Sequence, residues 1–299
     1  CETSRMFCPQ IRVLMFFPHG EGYPIQPCDS FFIFRICKLL KVLDLGEVVF
    51  GEHFPAEIEM LVELRFLAIR GKMQSIPSSI AKLYNLKIFL VKGFKVTIML
   101  PDTIWNMTNL RHISVNWSMG KVSLVNGILE NNSVLYNLSS FSNILLYHGQ
   151  SMEKILMKFP NIRKLKFHLF VSKDCVPNCS RIVKMDHLSR LESLSVTLMW
   201  AQKCRLQFHF PSSLRKLHLF FFSWSMISRI WELPNLEVLT LSSDSADKER
   251  TWEIPVEVEF PNLRVLHLRS LGITRWTGSG DHFPRLQKLI LQSCGMKEI

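Results

Sequence analysis

The sequence lacks the features that mark a membrane span, a disulfide scaffold or a nucleotide site. Its most apolar stretch, 217–231, is interrupted by His218, Arg229 and three serines, whereas a bilayer span needs about 20 mostly apolar residues. The eight cysteines are sparse and irregularly spaced, which favours reduced thiols in a cytosolic setting over a disulfide framework. No G-x-x-x-x-G-K-[ST] loop occurs, because Gly71-Lys72 lacks the upstream Gly and a following Ser or Thr. This route to phosphate binding is therefore excluded.

The composition is that of a globular protein with an excess of positive charge. Of the 299 residues, 47% are hydrophobic and 20% are charged, and 36 Lys or Arg oppose 25 Asp or Glu for a formal net charge of +11. No block of five or six basic residues forms a nucleic-acid stripe. We therefore expect acidic protein partners and no nucleic acid. The chain begins at Cys1 without a signal-peptide pattern and ends within a repeat, so we expect a fragment of a longer protein.

One six-residue pattern, apolar-x-x-apolar-x-apolar, recurs along the whole chain. Its first residues are Leu40, Leu64, Leu86, Leu110, Ile162, Leu191, Leu214, Leu236, Leu263 and Leu286, with weaker copies at Ile11 and Phe141. The twelve starts span 275 residues in eleven steps, an average of 25 residues. This spacing lies within the range of leucine-rich repeats.

The pattern predicts an α/β fold, a leucine-rich-repeat solenoid or horseshoe with a parallel concave β-sheet and an irregular or short-helical convex side. The last four residues of each copy alternate as a strand does, and strands stacked in parallel share one apolar core. Eight apolar-Pro pairs, such as Ile76-Pro77, lead into the strands, and Pro favours an extended or turn conformation there. Ser78 and Ser79 are candidate N-caps of a short helix. The alternative is an ordinary α/β domain rich in leucine.

Two long steps in the array predict insertions. Longer steps lie at 110–141 and 162–191, and extra residues in a solenoid loop out of the stack. The segments 117–136 and 172–186 are the candidates for these loops.

Several stretches resemble the repeats of plant intracellular immune receptors. They are Leu40-Lys-Val-Leu-Asp-Leu45, Ile76-Pro-Ser-Ser-Ile80 with Leu83-Tyr-Asn-Leu86, Leu100-Pro-Asp-Thr-Ile-Trp105, and Phe283-Pro-Arg-Leu286 with Leu291-Gln-Ser-Cys294. The resemblance covers essentially the whole chain. Within that group, the sequence is most similar to the late blight resistance protein homologues of nightshades.

The resemblance implies that residues 1–299 form the leucine-rich-repeat domain of a coiled-coil, nucleotide-binding, leucine-rich-repeat receptor. In such receptors the repeats hold the nucleotide-binding module inactive and help to sense pathogen effectors, and activation leads to defence and a hypersensitive response. The implied partners are the receptor's own nucleotide-binding module and a pathogen effector or guarded host protein. ATP or ADP would bind in the upstream module, and this chain would hold no cofactor. The implied location is cytoplasmic, with membrane association through the full-length protein left open.

Ten residues are candidates for partner binding on the concave face. They are Lys41, Arg65, Lys87, Arg111, Lys166, His168, His218, Phe220, His267 and Arg269. The first variable position is basic in eight of the twelve copies, at Arg12, Lys41, Arg65, Lys87, Arg111, Arg163, Arg215 and Arg264. These residues either form a positive flank along one edge of the sheet or use their aliphatic stems to cover neighbouring apolar surface. Trp117, Phe220, Trp224 and Trp276 are candidates for exposed aromatic contacts.

The residues predict neither a catalytic nor a metal site. Cys175 and Cys179 have a spacing that zinc ligands use, and His187 follows, but a fourth ligand is missing. His218 and His267 occupy the same repeat position, two strands apart in a stacked array. No Ser, Cys or carboxylate recurs beside them to form a catalytic group. We therefore expect a binding module rather than an enzyme.

Two other functions remain open from the sequence. Asn-x-Ser/Thr sequons at Asn106, Asn116, Asn131, Asn137 and Asn178 suit an extracellular leucine-rich-repeat receptor or inhibitor. Against it, the N-x-L-x-G-x-I-P pattern of plant extracellular repeats is missing. The third reading is an F-box-type substrate adaptor.

Overall fold

The computed structural model describes residues 10–17, 32–93, 98–116, 122–124, 132–147, 151–170, 181–199, 206–222, 226–243, 250–277 and 279–295. The chain divides into two compact units, residues 1–145 with 157–159 and residues 146–156 with 160–299. Each unit is built on a main sheet of parallel strands. Sequence alone predicts one domain over residues 1–299, and this stays a prediction.

Unit 1, residues 1–145 with 157–159, contains short strands that follow one another at the repeat spacing. Its elements are β1 Val13–Met15, α1 Phe32–Ile36, β2 Val42–Phe50, β3 Phe66–Gly71, β4 Ile88–Gly93, β5 Ile98–Leu100, β6 His112–Asn116, β7 Val122–Leu124 and β8 Ser140–Tyr147, which runs past residue 145. The main sheet has the order β1-β2-β3-β4-β6-β8, and every neighbouring pair is parallel. Strands β5 and β7 pair with each other, and β7 also pairs with β8.

Unit 2, residues 146–156 with 160–299, repeats the arrangement. Its elements are α2 Ser151–Leu156, β9 Lys164–Phe170, β10 Arg181–Lys184, β11 Ser193–Met199, β12 Leu206–His209, β13 Lys216–Phe220, α3 Ile227–Ile230, β14 Val238–Ser242, β15 Arg250–Glu253, β16 Val265–Arg269, β17 Ile273–Thr277 and β18 Lys288–Gln292. The main sheet has the order β9-β11-β13-β14-β16-β18, and all of its pairs are parallel. Two smaller parallel sheets join β10 to β12 and β15 to β17.

The three apolar positions of the repeat point into the core. Leu40, Leu43 and Leu45 are at most 1% exposed, and the matching residues of the repeats from Leu64 to Leu268 are similarly buried. In the two terminal repeats the burial is weaker, since Leu14 is half-buried and Leu289 is 43% exposed. The partners of Leu43 are Leu14 and Leu67, so that residues of one repeat position lie side by side. Because one short strand cannot bury its apolar side alone, stacking supplies the core that each repeat lacks. The prediction of a parallel-strand solenoid is confirmed.

Short 3₁₀ helices connect the strands of unit 1, and each begins after the Pro of an apolar-Pro pair. They cover Ala56–Met60, Ser78–Lys82 and Asp102–Asn106, and the preceding Pro55, Pro77 and Pro101 are extended. A fourth 3₁₀ helix in unit 2 covers Gly280–His282. The prediction that Ser78 or Ser79 caps its helix is wrong, because Pro77 occupies the N-cap and no side chain caps there. The Ser79 hydroxyl instead donates a hydrogen bond to the carboxylate of Glu59 in the preceding repeat.

The weak copy of the repeat at Phe141 has a different register from the predicted one. Phe141 pairs with Ile113, the second apolar position of its neighbour, so this repeat starts at Leu138. Asn143 then fills the third apolar position with a φ of 64°, a conformation that Asn tolerates better than most residues. Its buried amide donates to the carbonyl of Val115. Because Asn143 is polar, the sequence from Leu138 does not fit the apolar pattern, whereas the sequence from Phe141 does. The register was therefore predicted three residues too late.

The two predicted insertions contain strands as well as loops. Within 117–136, β7 joins the sheet of unit 1, and within 172–186, β10 pairs with β12. The sequence predicted that both segments loop out of the stack. For β7 and β10 this prediction is wrong, because each of them pairs with another strand. Most of the remaining residues of both segments lie outside the described part of the chain.

Candidate partner-binding surface

The variable positions of the repeat form two distinct surfaces. The second and third variable residues, such as Val42 and Asp44, lie within the strands and alternate with core residues. They face away from the core because strand side chains alternate in direction. We call the surface formed by these two residues and by the residue two positions further along the strand the variable face. The first variable residue, such as Lys41, comes just before the strand, and we call the line of these residues the leading row.

The leading row of unit 1 is a ladder of five basic residues. The backbone N–H of Lys41 donates to the carbonyl of Arg12, and Arg65, Lys87 and Arg111 each donate to the preceding member, all at 2.8 Å. Neighbouring members are therefore one strand apart, about 4.8 Å. In unit 1 the basic residues of this repeat position therefore lie side by side, and their role as a positive flank stays a prediction. Lys41, Arg65, Lys87 and Arg111 come just before their strands and border the variable face, and whether they contact a partner on the concave face stays a prediction.

The leading row differs in charge between the two units. In the described part of unit 1, none of the five basic residues forms an ion pair. In unit 2 the row alternates in sign, through Arg163, Glu192, Arg215, Glu237 and Arg264. Arg163 contacts Glu192 at 3.6 Å and Arg215 contacts Glu237 at 2.9 Å. Exposed pairs of this kind add little stability, but they neutralise the row locally. Within the described residues, the row of unit 1 keeps five unpaired cations for a partner, whereas Arg264 is the one unpaired cation of the row in unit 2.

The variable face of unit 1 is largely apolar beside its leading row. Val13 and Met15 are 54% and 44% exposed, and Phe66, Ile88 and Leu90 are half-buried. Towards the other end of the strands, Glu47 contacts Arg70 at 3.6 Å and Lys92 at 3.1 Å. An apolar patch bordered by Arg and Lys has the composition of a protein interface.

The other six predicted contact residues all lie on the variable face of unit 2. Lys166 and His168 are on β9, His218 and Phe220 on β13, and His267 and Arg269 on β16. Thr240 separates His218 from His267 in the register of the sheet, which confirms that the two His residues are two strands apart. Lys166 and Arg269 are exposed, and the other four are half-buried. Whether these residues bind a partner stays a prediction.

The environment of His218 disfavours its charged form. Burial lowers the pKa of its imidazole, and the positive charges of Lys216 and Lys166 and the nearby His267 lower it further. The shift follows because a proton on this ring would lose hydration and meet like charges. His218 is therefore mostly neutral at pH 7.

The predicted aromatic and thiol features are only partly described. Trp276 is half-buried and stacks on Trp252 with ring centroids 5.3 Å apart, so it packs between repeats and is not a free contact. Trp117 and Trp224 lie outside the described residues. Cys37 and Cys294 are free and buried. Cys175 and Cys179 also lie outside, and within the described residues no three His, Cys, Asp or Glu side chains cluster in a metal-binding arrangement.

A row of Asn side chains links successive repeats, which the repeat pattern alone did not predict. Each Asn precedes the first apolar residue of its repeat, and its amide donates to a backbone carbonyl one repeat earlier. The bonds are Asn85 to Val62, Asn109 to Tyr84, Asn137 to Thr108, Asn235 to Ser212 and Asn262 to Pro234, at 2.9–3.2 Å. The recurring Asn-Leu dipeptide was the signal available in the sequence.

Two of the five predicted sequons have described side chains that contact other repeats. The Asn137 amide donates to the Thr108 carbonyl at 2.9 Å, and the side-chain oxygen of Asn106 accepts a hydrogen bond from Ser133 at 3.1 Å. Asn131, Asn178 and the side chain of Asn116 lie outside the described part. Among the helices that the structure describes, none is long and apolar enough to cross a bilayer.

Parallel strands in register, joined by Pro-led 3₁₀ turns at a spacing of about 25 residues, define a leucine-rich-repeat protein. A family model for a leucine-rich repeat region matches residues 25–298, so the chain belongs to the leucine-rich-repeat family. Domains of this family and fold are typically protein-interaction modules rather than enzymes.

Relatives and solved structures agree with this assignment. Late blight resistance protein R1-A of Solanum demissum is 31% identical over 280 residues, which are 90% of this chain and 21% of that protein. The late blight resistance protein homologue R1B-16 of the same species is 32% identical over 86% of this chain and 20% of its own length. The chain thus spans about a fifth of these relatives.

Similar folds occur in solved structures of low sequence identity. A leucine-rich-repeat protein of Leptospira interrogans has a TM-score of 0.52 and 21% identity, over 87% of this chain and 74% of that one. The leucine-rich-repeat ectodomain of a plant membrane receptor kinase from Arabidopsis thaliana has a TM-score of 0.51 and 16% identity, over 89% of this chain and 34% of that one. At these identities the likeness shows the fold alone.

Proposed function

We propose that this chain is the recognition and autoinhibitory module of an intracellular plant immune receptor that triggers defence and a hypersensitive response to pathogen effectors. The resemblance to late blight resistance proteins over about nine-tenths of the chain supports this function. In the proposed receptor, unit 1 docks on the nucleotide-binding module, which holds ATP or ADP, and other surfaces meet an effector or guarded host protein. The receptor acts in the cytoplasm.

The uncompensated leading row of unit 1 is the observation that carries the autoinhibitory part of the proposal. Like charges on adjacent strands repel one another and reduce the stability of the sheet. A partner that places carboxylates against Arg12, Lys41, Arg65, Lys87 and Arg111 removes this repulsion. The apolar variable face beside the row supplies area that such a partner buries. Charge complementarity then sets the orientation and the rate of docking.

The test reverses the charge of the leading row in a complete receptor. Lys41, Arg65 and Arg111 are replaced together by Glu, in this chain joined to the coiled-coil and nucleotide-binding modules of a late blight resistance relative. The triple variant is expected to trigger cell death in leaf tissue without an effector. It is also expected to lose co-purification of the repeats with a separately expressed nucleotide-binding module.

The control makes the same change in net charge at three exposed residues of unit 2 outside its main sheet, Lys154, Lys184 and Arg190. None of them belongs to the leading row, so the control receptor is expected to stay silent. A silent unit 1 variant that still co-purifies with the nucleotide-binding module contradicts the proposal.

An extracellular receptor is the second candidate, and the sequons at Asn106 and Asn137 are the observation that favours it. Expression of the chain with and without a secretion signal, followed by glycosidase digestion, separates the two. Because Asn137 uses its amide to bind the preceding repeat, the intracellular proposal expects no glycan at this residue. A substrate adaptor of F-box type would instead require an F-box in the parent protein.

A further inference from the structure

Positive charge is concentrated on the variable face of unit 2. The six strands of its main sheet contain no Asp or Glu, and they carry five cationic side chains and three imidazoles at variable positions: Lys164, Lys166, Lys216, Arg269, Lys288, His168, His218 and His267. In the main sheet of unit 1, Asp44 and Glu47 balance Arg70 and Lys92. The variable face of unit 2 therefore carries uncompensated positive charge, whereas that of unit 1 carries charges of both signs.

Small hydroxyl side chains lie between the cationic ones. Ser193 of β11 pairs with Lys164 on one side and Lys216 on the other, and Ser195 pairs with Lys166 and His218. This part of the face is thus a low strip of hydroxyls between two lines of longer, positively charged or imidazole side chains. Hydroxyls donate hydrogen bonds and cations supply charge-assisted ones, and an ionised carboxylate accepts both.

We propose that the variable face of unit 2 binds an acidic segment, rich in Asp and Glu, of a partner protein. The inference rests on the proposed recognition function and names the chemistry of the partner that unit 2 would recognise. The face spans five inter-strand steps, about 24 Å at the usual strand separation. An extended segment of about seven or eight residues covers that length.

A protein carboxylate fits this surface better than the backbone of a nucleic acid. Glu192 and Glu237 border the face in the leading row, and they would repel a polyanion that runs past its edge. Five cations spread over six strands also give a lower charge density than the clustered Lys and Arg of a nucleic-acid footprint. A short acidic segment can lie within the face and avoid the two carboxylates.

Binding of carboxylates at this face should be coupled to protonation of His218. The charged or titratable groups that face this imidazole are Lys216 of the same strand, Lys166 of β9 and His267 of β16. Ser195 and Thr240 on the two adjoining strands carry no charge. A bound carboxylate raises the pKa that these neighbours lower, so binding takes up protons and strengthens as the pH falls from 7.5 towards 6.

The test measures binding of defined probes to the full chain by fluorescence anisotropy. The probes are a labelled peptide of alternating Glu and Ser, the same peptide with Gln for Glu, a phosphoserine peptide and a single-stranded RNA. The Glu peptide is expected to bind more tightly than the other three. Lys166→Glu with Lys216→Glu should weaken it by about tenfold or more, because exposed cations on the face become repulsive.

Lys184→Glu with Arg190→Glu is the matched control. Both residues are exposed in unit 2 outside the main sheet, and the change in net charge is the same. If the face attracts the peptide, and not the overall charge, this variant should lose less than about twofold in affinity for the Glu peptide. Calorimetry in buffers of different ionisation enthalpy then measures the proton uptake, which His218→Asn should reduce.

Several outcomes would overturn the proposal. Equal binding of the Gln peptide removes the need for carboxylates, and equal loss in the two double variants removes the role of the face. Tighter binding of the RNA or the phosphoserine peptide assigns the surface to phosphate. Because the assay uses this chain alone, its failure leaves the docking of the leading row on the nucleotide-binding module unaffected. Conversely, a silent receptor variant does not alter the peptide result.

Discussion

At the scale of single residues, the Asn that precedes five of the repeats has a structural role that neither composition nor periodicity reveals. Its side-chain amide satisfies a backbone carbonyl of the preceding repeat, as in the 2.9 Å bond from Asn109 to Tyr84. Neighbouring repeats are thereby joined outside the strands. The role becomes visible only once the stacking register is known, because the acceptor lies 23–29 residues earlier in the chain.

Replacing one member of the Asn row tests this role. We expect Asn109→Ala to lower the free energy of unfolding by about 1 kcal/mol, the usual contribution of one such hydrogen bond. Urea titration followed by circular dichroism measures the change. Asn132→Ala, at an exposed position outside the row, is the control and should be close to neutral. Equal effects of the two substitutions would exclude a specific contribution of the row.

The pKa of His218 predicts how stability changes with pH. Because burial and positive neighbours lower the pKa of this imidazole from 6.5, the unfolded chain binds a proton more readily than the folded one. Stability is therefore lost as the pH falls through 6.5 towards the lower, folded-state value. We expect the melting temperature of His218→Asn to fall less between pH 7.5 and 5.5 than that of the parent chain. An equally steep fall in His218→Asn and in the parent chain would contradict this assignment.

At the scale of elements, the sequence predicts the strands well and their register less reliably. The alternation in Leu214-Arg-Lys-Leu217-His-Leu219 is that of a strand with one buried face, and β13 follows it. The start of the repeat at Leu138 was not predicted, because Asn143 occupies an apolar position of the pattern and has a positive φ. The N-cap at Ser78 or Ser79 was also wrongly predicted, because Pro77 occupies the N-cap position of this 3₁₀ helix.

The assignment of faces within a strand predicts opposite results for adjacent residues. Leu217 is fully buried and Lys216 is exposed. We expect Leu217→Ala to destabilise the protein by about 2–5 kcal/mol, because it leaves a cavity between repeats. Lys216→Ala should change stability by no more than about 0.5 kcal/mol. Thermal unfolding of the two variants measures both, and a reversed order would mean that the strand faces the other way.

The charge pattern of the leading row was only half predicted. Eight basic residues at one repeat position were evident in the sequence, and so was the possibility of a positive flank. The backbone ladder shows which acids share that position, and Glu192 and Glu237 neutralise the row in unit 2. The five basic residues of unit 1 meet no such neighbours in the described part of the chain. The difference between the two halves is not evident from single repeats, because it depends on which residues share a position in adjacent repeats.

At the scale of the whole molecule, the two units present different surfaces on the same repeat architecture. Unit 1 combines an uncompensated basic row with an apolar variable face. Unit 2 has a partly neutralised row and a variable face whose strands carry cations, imidazoles and hydroxyls without carboxylates. This division suits a receptor module in which one half holds the nucleotide-binding module and the other meets a second partner.

The central claim is that the leading row of unit 1 contacts acidic residues of the nucleotide-binding module in the resting receptor. Carbodiimide cross-linking tests it most directly, because this reagent joins a Lys amine to a carboxylate only when the two are in contact. In the complete receptor described above, mass spectrometry is expected to find Lys41 and Lys87 joined to Asp or Glu of the nucleotide-binding module, with the exposed Lys184 of unit 2 unlinked to it. Links from Lys184 to that module, with none from Lys41 or Lys87, would contradict the account.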